Sequence, residues 1–346
     1  MRLPASLAAG LLLACTAALP VRAAPAGFSI AAPDAKEVFL AGEMTDWDAG
    51  KVAMQRDEHG TWRTALDLEP GQWLYKFVVD GQWVQDPGTD DHDADGRGGQ
   101  HSFVFVGDGP WTVEPGTPRG QVQARQVASR ALGATMTVNV YLPPGFRPGQ
   151  QLPVLWLLHG SEMDADQWTR TGHIERYMDH LIAAGTIRPF VVVMPSGHRG
   201  HDSYDGASER FIADELPRWL ASTYGLRPTR ATTAVAGMSL GGYGTVALAV
   251  RHPRQYGFGV ALAGWYPPSL LAEVERARQL PDKLVLRCGL QDDLLASNHD
   301  LVAVLDKRHA SFDFAEEAGA HTFHFWSRHT ALMLTAVDAY FRGAGR

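Results

Sequence analysis

With 346 residues, 45% hydrophobic and 20% charged, the chain is long enough for two domains with sizeable cores and has the make-up of a globular protein. A formal net charge of −7 and the lack of a long basic run exclude nucleic acid as its main partner. Two cysteines, Cys15 and Cys288, exclude a disulfide framework.

Residues 1–24 read as an export signal. Arg2 supplies the positive start, Leu7 to Leu19 the apolar segment, and Val21-Arg22-Ala23 a small-residue cleavage site. The apolar run is too short for a permanent bilayer span, and no later segment is long and apolar enough for one. The expected localisation is secreted or periplasmic. Leu12-Leu13-Ala14-Cys15 also resembles a bacterial lipobox, and cleavage before Cys15 would leave a lipid-anchored protein.

Residues 27–107 read as an all-β module. Val38 to Gly42 is a strand into a turn, Gly60 to Leu68 alternates apolar and polar at period two, and Pro70-Gly71 is a turn. Trp73 to Val79 is a strand ending at the hairpin signal Asp80-Gly81, and Ser102 to Val106 closes the module. Short strands between turn signals predict a small β-sandwich. Asp91-His92-Asp93-Ala94-Asp95-Gly96 matches the opening of a calcium loop, but Ser102 stands where the twelfth-position glutamate belongs, so a polar surface loop is the stronger reading and no metal is expected. Residues 108–120, rich in Gly and Pro, predict a linker.

From residue 121 strands alternate with helices. Strands are expected at Thr135 to Leu142, Val154 to Leu158, Phe190 to Met194, Thr232 to Ala236, 258–263 and 283–288. Helices are expected at Ile174 to Ala184, Phe211 to Tyr224, Tyr243 to Val250, 297–309 and Arg328 to Arg342. This order predicts a mostly parallel sheet covered on both faces.

The chemistry centres on Gly237-Met238-Ser239-Leu240-Gly241, a Gly-x-Ser-x-Gly run between a strand and a helix. Glycines flank the serine because the turn is too sharp for a neighbouring Cβ, and the turn exposes Ser239 as a nucleophile. An acid and a base should then follow on later loops. Asp292, just past the 283–288 strand, is the first candidate acid and Asp293 the alternative; the competing reading is a solvated pair capping the next helix. His321, in the loop after the strand-like Phe312 to Phe314, is the first candidate base and His324 the second. His329 falls inside the expected last helix, where an imidazole is harder to aim at Ser239. His159 reads as a structural residue beside the site. The oxyanion donors are expected to be the N–H groups of Leu240 and Ser161, with Gly160 giving close approach. Trp168, Trp265, Tyr266 and Trp326 are candidate pocket walls, each equally readable as core. Cys288 ends an apolar strand and reads as an inert buried thiol. The run Ser196 to Gly206, with His198 and His201, carries no reading.

On these residues the second part resembles the esterase family that includes esterase D, feruloyl esterases, enterochelin esterases and mycolyltransferases. The matching runs are Val140 to Gly145, Leu157-Leu158-His159-Gly160, Val193-Met194-Pro195, Asp214-Glu215-Leu216, Gly237 to Gly242, and Gly319-Ala320-His321 followed by Trp326. The family usually has Gly-Gly-His or Gly-Ser-His where this chain has Gly319-Ala320-His321. The resemblance spans about 121–343; it implies an α/β-hydrolase fold and His321 as the base.

The first part resembles the family-48 glycogen-binding-type carbohydrate module, an early-set immunoglobulin-like fold. The residues are Gly42 to Trp47, Trp73 to Trp83, Asp86-Pro87 and Asp95 to Ser102. The resemblance implies that Trp47, Lys76 and Trp83 contact sugar rings; His101 or Ser102 stands where such members often use Asn.

The expectation is therefore an α/β-hydrolase esterase domain behind a small immunoglobulin-like sandwich. It would be an exported serine esterase needing no cofactor, with Ser239, His321 and Asp292 in the three roles. The pairing of the two families points to feruloyl or acetyl esters of plant polysaccharide. The alternatives are a siderophore (enterochelin-type) esterase, an acyltransferase, and a non-catalytic glycan-binding protein.

Overall fold

Two hydrophobic periods divide the chain, and each builds its own sheet system. The computed structural model describes residues 23–89, 91–94, 99–197 and 204–343. Cys15 with most of the export segment, His198 and His201, and Asp95-Gly96 of the calcium-like run lie outside the described residues.

Period-two alternation up to residue 106 forms β1 (Ala24–Ala31), β2 (Val38–Gly42), β3 (Val52–Ala53), β4 (Gln55–Arg56), β5 (Thr61–Leu68), β6 (Gly71–Val79), β7 (Gln82–Val84), β8 (His92–Ala94) and β9 (Gln100–Val106). The sheet β1-β5-β4 and the sheet β3-β2-β6-β9-β8, with β7 paired to β6, are antiparallel throughout. Phe28, Ile30 and Trp62 from the first sheet meet Leu40, Tyr75 and Phe77 from the second in one core. Asp80 and Gly81, at φ 45° and 80°, join β6 to β7 in the left-handed two-residue turn that matches strand twist.

The second system is one eight-stranded sheet in the order β10-β11-β13-β12-β14-β15-β16-β17. Its strands are β10 (Gln121–Ser129), β11 (Ala134–Leu142), β12 (Val154–Leu158), β13 (Val191–Pro195), β14 (Thr233–Met238), β15 (Phe258–Leu262), β16 (Lys283–Gly289) and β17 (Phe312–Glu317). β10 and β11 run antiparallel at one edge; from β13 to β17 all neighbours are parallel. β10 carries no sequence signal, because an edge strand half-open to water has no apolar run: only Val127 and Ser129 are buried in it.

Buried parallel strands alternate between the two faces they cover. Val154, Trp156 and Leu158 of β12 enter one core, and Leu155 and Leu157 enter the other. The first core is closed by α3 (Gly206–Arg210), which runs through a π-turn over Phe211–Glu215 into α4 (Leu216–Tyr224), and by α5 (Leu240–Arg251), α6 (Pro268–Arg276) and α7 (Leu295–Lys307). The second is closed by α1 (Gln167–Arg170), α2 (Ile174–Ala183) and α8 (Phe323–Gly343). The last helix thus begins at Phe323, not Arg328, which moves His324 out of a loop and into a first helical turn. The result is an α/β-hydrolase fold behind an immunoglobulin-like sandwich.

The sandwich is packed against the sheet domain. Trp111, in the Gly/Pro-rich stretch expected as a linker, is buried between Phe105 and Tyr177, with ring centroids 5.8 and 6.2 Å away. Gln72 donates from Nε2 to the Thr171 carbonyl at 2.7 Å, and Trp73 stacks on His324 at 3.6 Å.

Leu155 is fully buried on the α8 face of the sheet. Leu155→Ala is expected to destabilise the protein by about 2–5 kcal/mol. The exposed Leu290, changed to Ala, should cost no more than about 0.5 kcal/mol. Denaturant unfolding of both variants checks this, and equal midpoints would contradict the two-core packing.

Candidate active site

Ser239 sits at the junction of β14 and α5 with φ 53° and ψ −119°, a conformation side-chain-bearing residues rarely adopt. Glycine neighbours make it attainable. A Cβ on Gly237 would lie 2.5 Å from the Gly241 carbonyl oxygen, and one on Gly241 would lie 2.4 Å from that of Leu158. The Ser239 N–H donates to the Leu262 carbonyl at 2.8 Å, which ties the turn to the end of β15. Because α5 starts at Leu240, the N–H groups of Leu240, Gly241 and Gly242 have no helical carbonyl one turn earlier to bond, and the positive end of the helix dipole lies beside the serine.

The loop after β12 reaches the same place. A Cβ on Gly160 would stand 3.8 Å from that of Ser239. The Gly160 N–H is committed to Gln167 Oε1 at 2.9 Å, so the next free-standing amide along the loop is that of Ser161, which is exposed. His159 is buried beneath: its Nδ1–H donates to the Gly160 carbonyl at 2.8 Å and its Nε2 accepts from the Gly197 N–H at 3.3 Å. Both partners require a neutral ring, a scaffold role in keeping with its place at a strand end.

At the other end of the sheet two loops are stitched together. A Cβ on Gly289 would lie 2.1 Å from the Gly319 carbonyl oxygen. Gln291 N–H donates to that oxygen at 2.9 Å, and Gln291 Oε1 accepts the Gly319 N–H at 2.8 Å. This places Asp292 against His321. Asp292 is buried, with Oδ2 2.8 Å from His321 Nδ1 and Oδ1 accepting the Leu294 N–H at 2.8 Å. Asp293 is exposed. His321 Nε2 is 2.9 Å from Ser239 Oγ. Since the carboxylate can only accept, Nδ1 carries the proton and Nε2 is the acceptor facing the serine hydroxyl.

The other histidines are engaged elsewhere. His324 is buried at the seam, its Nδ1 3.0 Å from the Gln72 carbonyl; burial, chiefly, lowers its pKa to about 4, so the ring is neutral. His329 bonds the Phe325 carbonyl at 2.7 Å and lies 3.2 Å from Glu317. Both are therefore corrected from candidate bases to structural residues: the His324 ring is taken up by Gln72 and Trp73 of the sandwich, and the His329 ring by the Phe325 carbonyl of its own helix. Trp168 and Tyr266 are core residues, not pocket walls. Trp265 is 51% exposed beside Tyr243. Trp326 does form a wall, edge-on to the His321 ring at 4.9 Å. Cys288 is buried and its thiol pushed up to about 12, first by burial and then by Asp292, which makes it unreactive.

A cavity of about 200 Å³ opens beside His321, and residues from both domains line it: Glu43, Trp47, Leu74 and His101 from the sandwich, and Met163, Gln167, Thr171, Thr322, Phe323 and Trp326 from the sheet domain. Trp47 packs against His101 with ring centroids 4.4 Å apart and planes inclined by 36°, and lies 6.4 Å from Trp83, which is 46% exposed. Lys76 departs from expectation: its side chain is buried in the sandwich. Ser102 is also buried, accepting the Asp86 N–H at 2.9 Å, so His101 is the residue at the aromatic surface. The roles of Glu43, Gln167 and Met163 had no sequence signal. Glu43 stands inside the Gly42 to Trp47 run that carries the resemblance, but nothing local says where its carboxylate points.

Among the described residues there is no cluster of three His, Cys, Asp or Glu able to hold a metal, and no helix long and apolar enough to cross a membrane.

Comparison with known proteins follows the same division. Residues 32–99 match the glycogen recognition site of AMP-activated protein kinase. An endo-1,4-beta-xylanase/feruloyl esterase of Xylanibacter ruminicola is 27% identical over 319 residues, covering 88% of this chain and 43% of that protein. The chain spans about half or less of the length of such curated relatives. The enterobactin esterase of Shigella flexneri superposes over 94% of this chain and 95% of its own, with a TM-score of 0.73 and 17% identity. A ferulic acid esterase of Anaeromyces mucronatus superposes over 72% of this chain and 98% of its own, with a TM-score of 0.59 and 15% identity. Residues 129–332, more than half of the chain, match the family described as "Putative esterase", and it is to this family that the chain belongs.

Proposed function

We propose that the chain is an exported serine carboxylic-ester hydrolase acting on feruloyl or acetyl esters of plant polysaccharide. The observation that carries the reading is the unbroken hydrogen-bonded line from Asp292 through His321 to Ser239. Ser239 Oγ attacks the ester carbonyl while its proton passes to His321 Nε2. Asp292, buried and fixed by the Leu294 N–H, holds the ring in the required tautomer and stabilises the imidazolium. The amides of Leu240 and Ser161 receive the oxyanion. The imidazolium then protonates the departing alcohol, and water, deprotonated by the same imidazole, releases the acyl group and restores Ser239. No cofactor enters this sequence.

The polysaccharide part of the reading rests on the xylanase/feruloyl esterase likeness, which spans both domains, and on the surface of Trp47, His101 and Trp83 running from the sandwich to the cavity beside His321. Residues 27–107 would then act as a glycan-contacting unit and 121–343 as the hydrolase. A catecholate siderophore ester is the second reading, because the fold likeness to enterobactin esterase also takes in both domains. Release of ferulate from feruloylated arabinoxylan oligosaccharides, set against hydrolysis of a catecholate trilactone, separates the two.

Ser239→Ala should lower kcat on an activated aryl ester by about a million-fold. Asp292→Asn should lower it by about ten-thousand-fold, through the wrong tautomer, while Asp293→Asn should stay near wild type. Steady-state kinetics decide: an unaffected Ser239→Ala, or a loss at 293 in place of 292, contradicts the assignment.

Trp83→Ala should raise KM for feruloylated xylan about fivefold, the equivalent of about 1 kcal/mol of ring stacking, with no change for a small aryl ester. Equal KM values on the polymer would remove the sandwich from substrate binding.

A further inference from the structure

Glu43 is an acidic side chain that the proposed chemistry does not use, yet it lies on the wall of the cavity beside His321. It begins a short turn after β2 that is fixed from within. Thr45 Oγ1 accepts the Gly42 N–H at 3.0 Å and donates to the Gly42 carbonyl at 3.1 Å, and Thr45 is fully buried. A Cβ on Gly42 would meet the Leu74 carbonyl oxygen at 2.4 Å, so the turn is pressed onto β6. From this anchored position Glu43 Oε2 accepts the Leu74 N–H of its own domain at 2.9 Å. Its Oε1 accepts the His324 N–H of the sheet domain at 3.1 Å. The Phe323 N–H and the Thr322 hydroxyl lie beside the same carboxylate and favour its ionised form.

These donors matter because α8 starts at Phe323, two residues after His321. A helix start leaves four N–H groups without intrahelical partners. Here His324 turns to Glu43 at 3.1 Å, Phe325 to Thr322 Oγ1 at 3.3 Å, and Trp326 to the Thr322 carbonyl at 3.3 Å. One of the four is therefore satisfied by a residue 281 positions away, in another domain. A carboxylate there also complements the positive end of the helix dipole. The same turn carries Trp326, which packs edge-on against the His321 ring.

We propose that Glu43 is a positioning residue: its carboxylate holds the first turn of α8 and, through it, keeps His321 in register with Ser239. The inference rests on the hydrolase reading above. It makes the sandwich a structural part of the site independently of any sugar it binds. Both carboxylate oxygens accept N–H groups, so an amide can satisfy only one of them. Glu43→Gln therefore keeps the shape and loses the function, where a mere space-filler would be rescued by it.

The test compares wild type, Glu43→Gln, Glu43→Ala and Glu69→Ala. Glu69 pairs with Arg328 across the same seam at 3.0 Å without touching the His321 segment. Two readouts are taken beside the thermal midpoint: kcat and KM on a small aryl ester, and the rate at which a fluorophosphonate phosphonylates Ser239. The second reports nucleophile activation whatever the natural substrate is. Both Glu43 variants should lose about 10- to 100-fold in kcat and in phosphonylation rate, with KM changed less than about twofold. Glu69→Ala should match wild type in both. Wild-type rates in Glu43→Gln, or equal losses in Glu69→Ala, overturn the inference. Should Glu43→Gln not fold, Glu43→Asp, one methylene too short to reach both donors, is read in the same way. A wild type that is phosphonylated at Ser239 but cleaves no carboxylic ester contradicts the hydrolase reading alone. A wild type that is not phosphonylated overturns both.

Discussion

Backbone has to touch backbone along the carboxyl edge of the parallel sheet, and the candidate site exists because it does. Gly241 lies against the Leu158 carbonyl and Gly289 against the Gly319 carbonyl, at distances where any Cβ would collide. The first contact lets the turn carrying Ser239 sit down onto β12 and bring Gly160 beside the serine. The second draws the loop after β16 onto the loop after β17, which sets Asp292 against His321. Ser239 pays for its position with a strained φ, and the bond from its N–H to Leu262 helps to hold it. Without these contacts the three polar side chains would belong to three separate loops.

Below that edge the sheet is held by ordinary apolar burial on two faces. The alternation along β12, β13 and β14 divides their side chains between the two cores, so each strand is locked by both helical layers. A rigid floor is what permits loops at its end to be placed to within a hydrogen bond. The buried Asp292 illustrates the coupling. Its burial would be costly alone, and two hydrogen bonds, from Leu294 and His321, offset that cost.

Much of this was legible in the sequence because it is written in short-range chemistry. Gly-x-Ser-x-Gly between an apolar run and a helical one specifies its turn, and the order of later strands narrows the acid and base to a few residues. Asp80-Gly81 announced its hairpin in the same local way. What stayed hidden depends on contacts between distant segments. β10 is an edge strand and shows no buried run. The start of α8 lies five residues ahead of its expected position because the cap that makes it possible, Glu43, is in the other domain. Lys76, which the resemblance places at a sugar ring, is buried, and burial of one lysine in a strand is set by what packs over it. His101 stands out only when Trp47 is seen packed against it.

The seam between the domains is where polar groups are most tightly constrained. Burial holds the His324 ring neutral, with its pKa near 4, and raises that of Glu43 to about 7 against the pull of the N–H groups of Leu74 and His324. The neutral ring can stack on Trp73 and still donate to Gln72, two contacts that an imidazolium would make at a desolvation cost. The cavity beside His321 is walled by Trp47 and Leu74 on one side of this seam and by Met163, Phe323 and Trp326 on the other. A ligand reaching the imidazole through that cavity touches both domains. The serine, histidine and aspartate all stand on one sheet, but the shape they face is divided between two folds. Selectivity in such an arrangement is a property of how the sandwich docks, and it can change through substitutions in the seam that leave Ser239, His321 and Asp292 untouched.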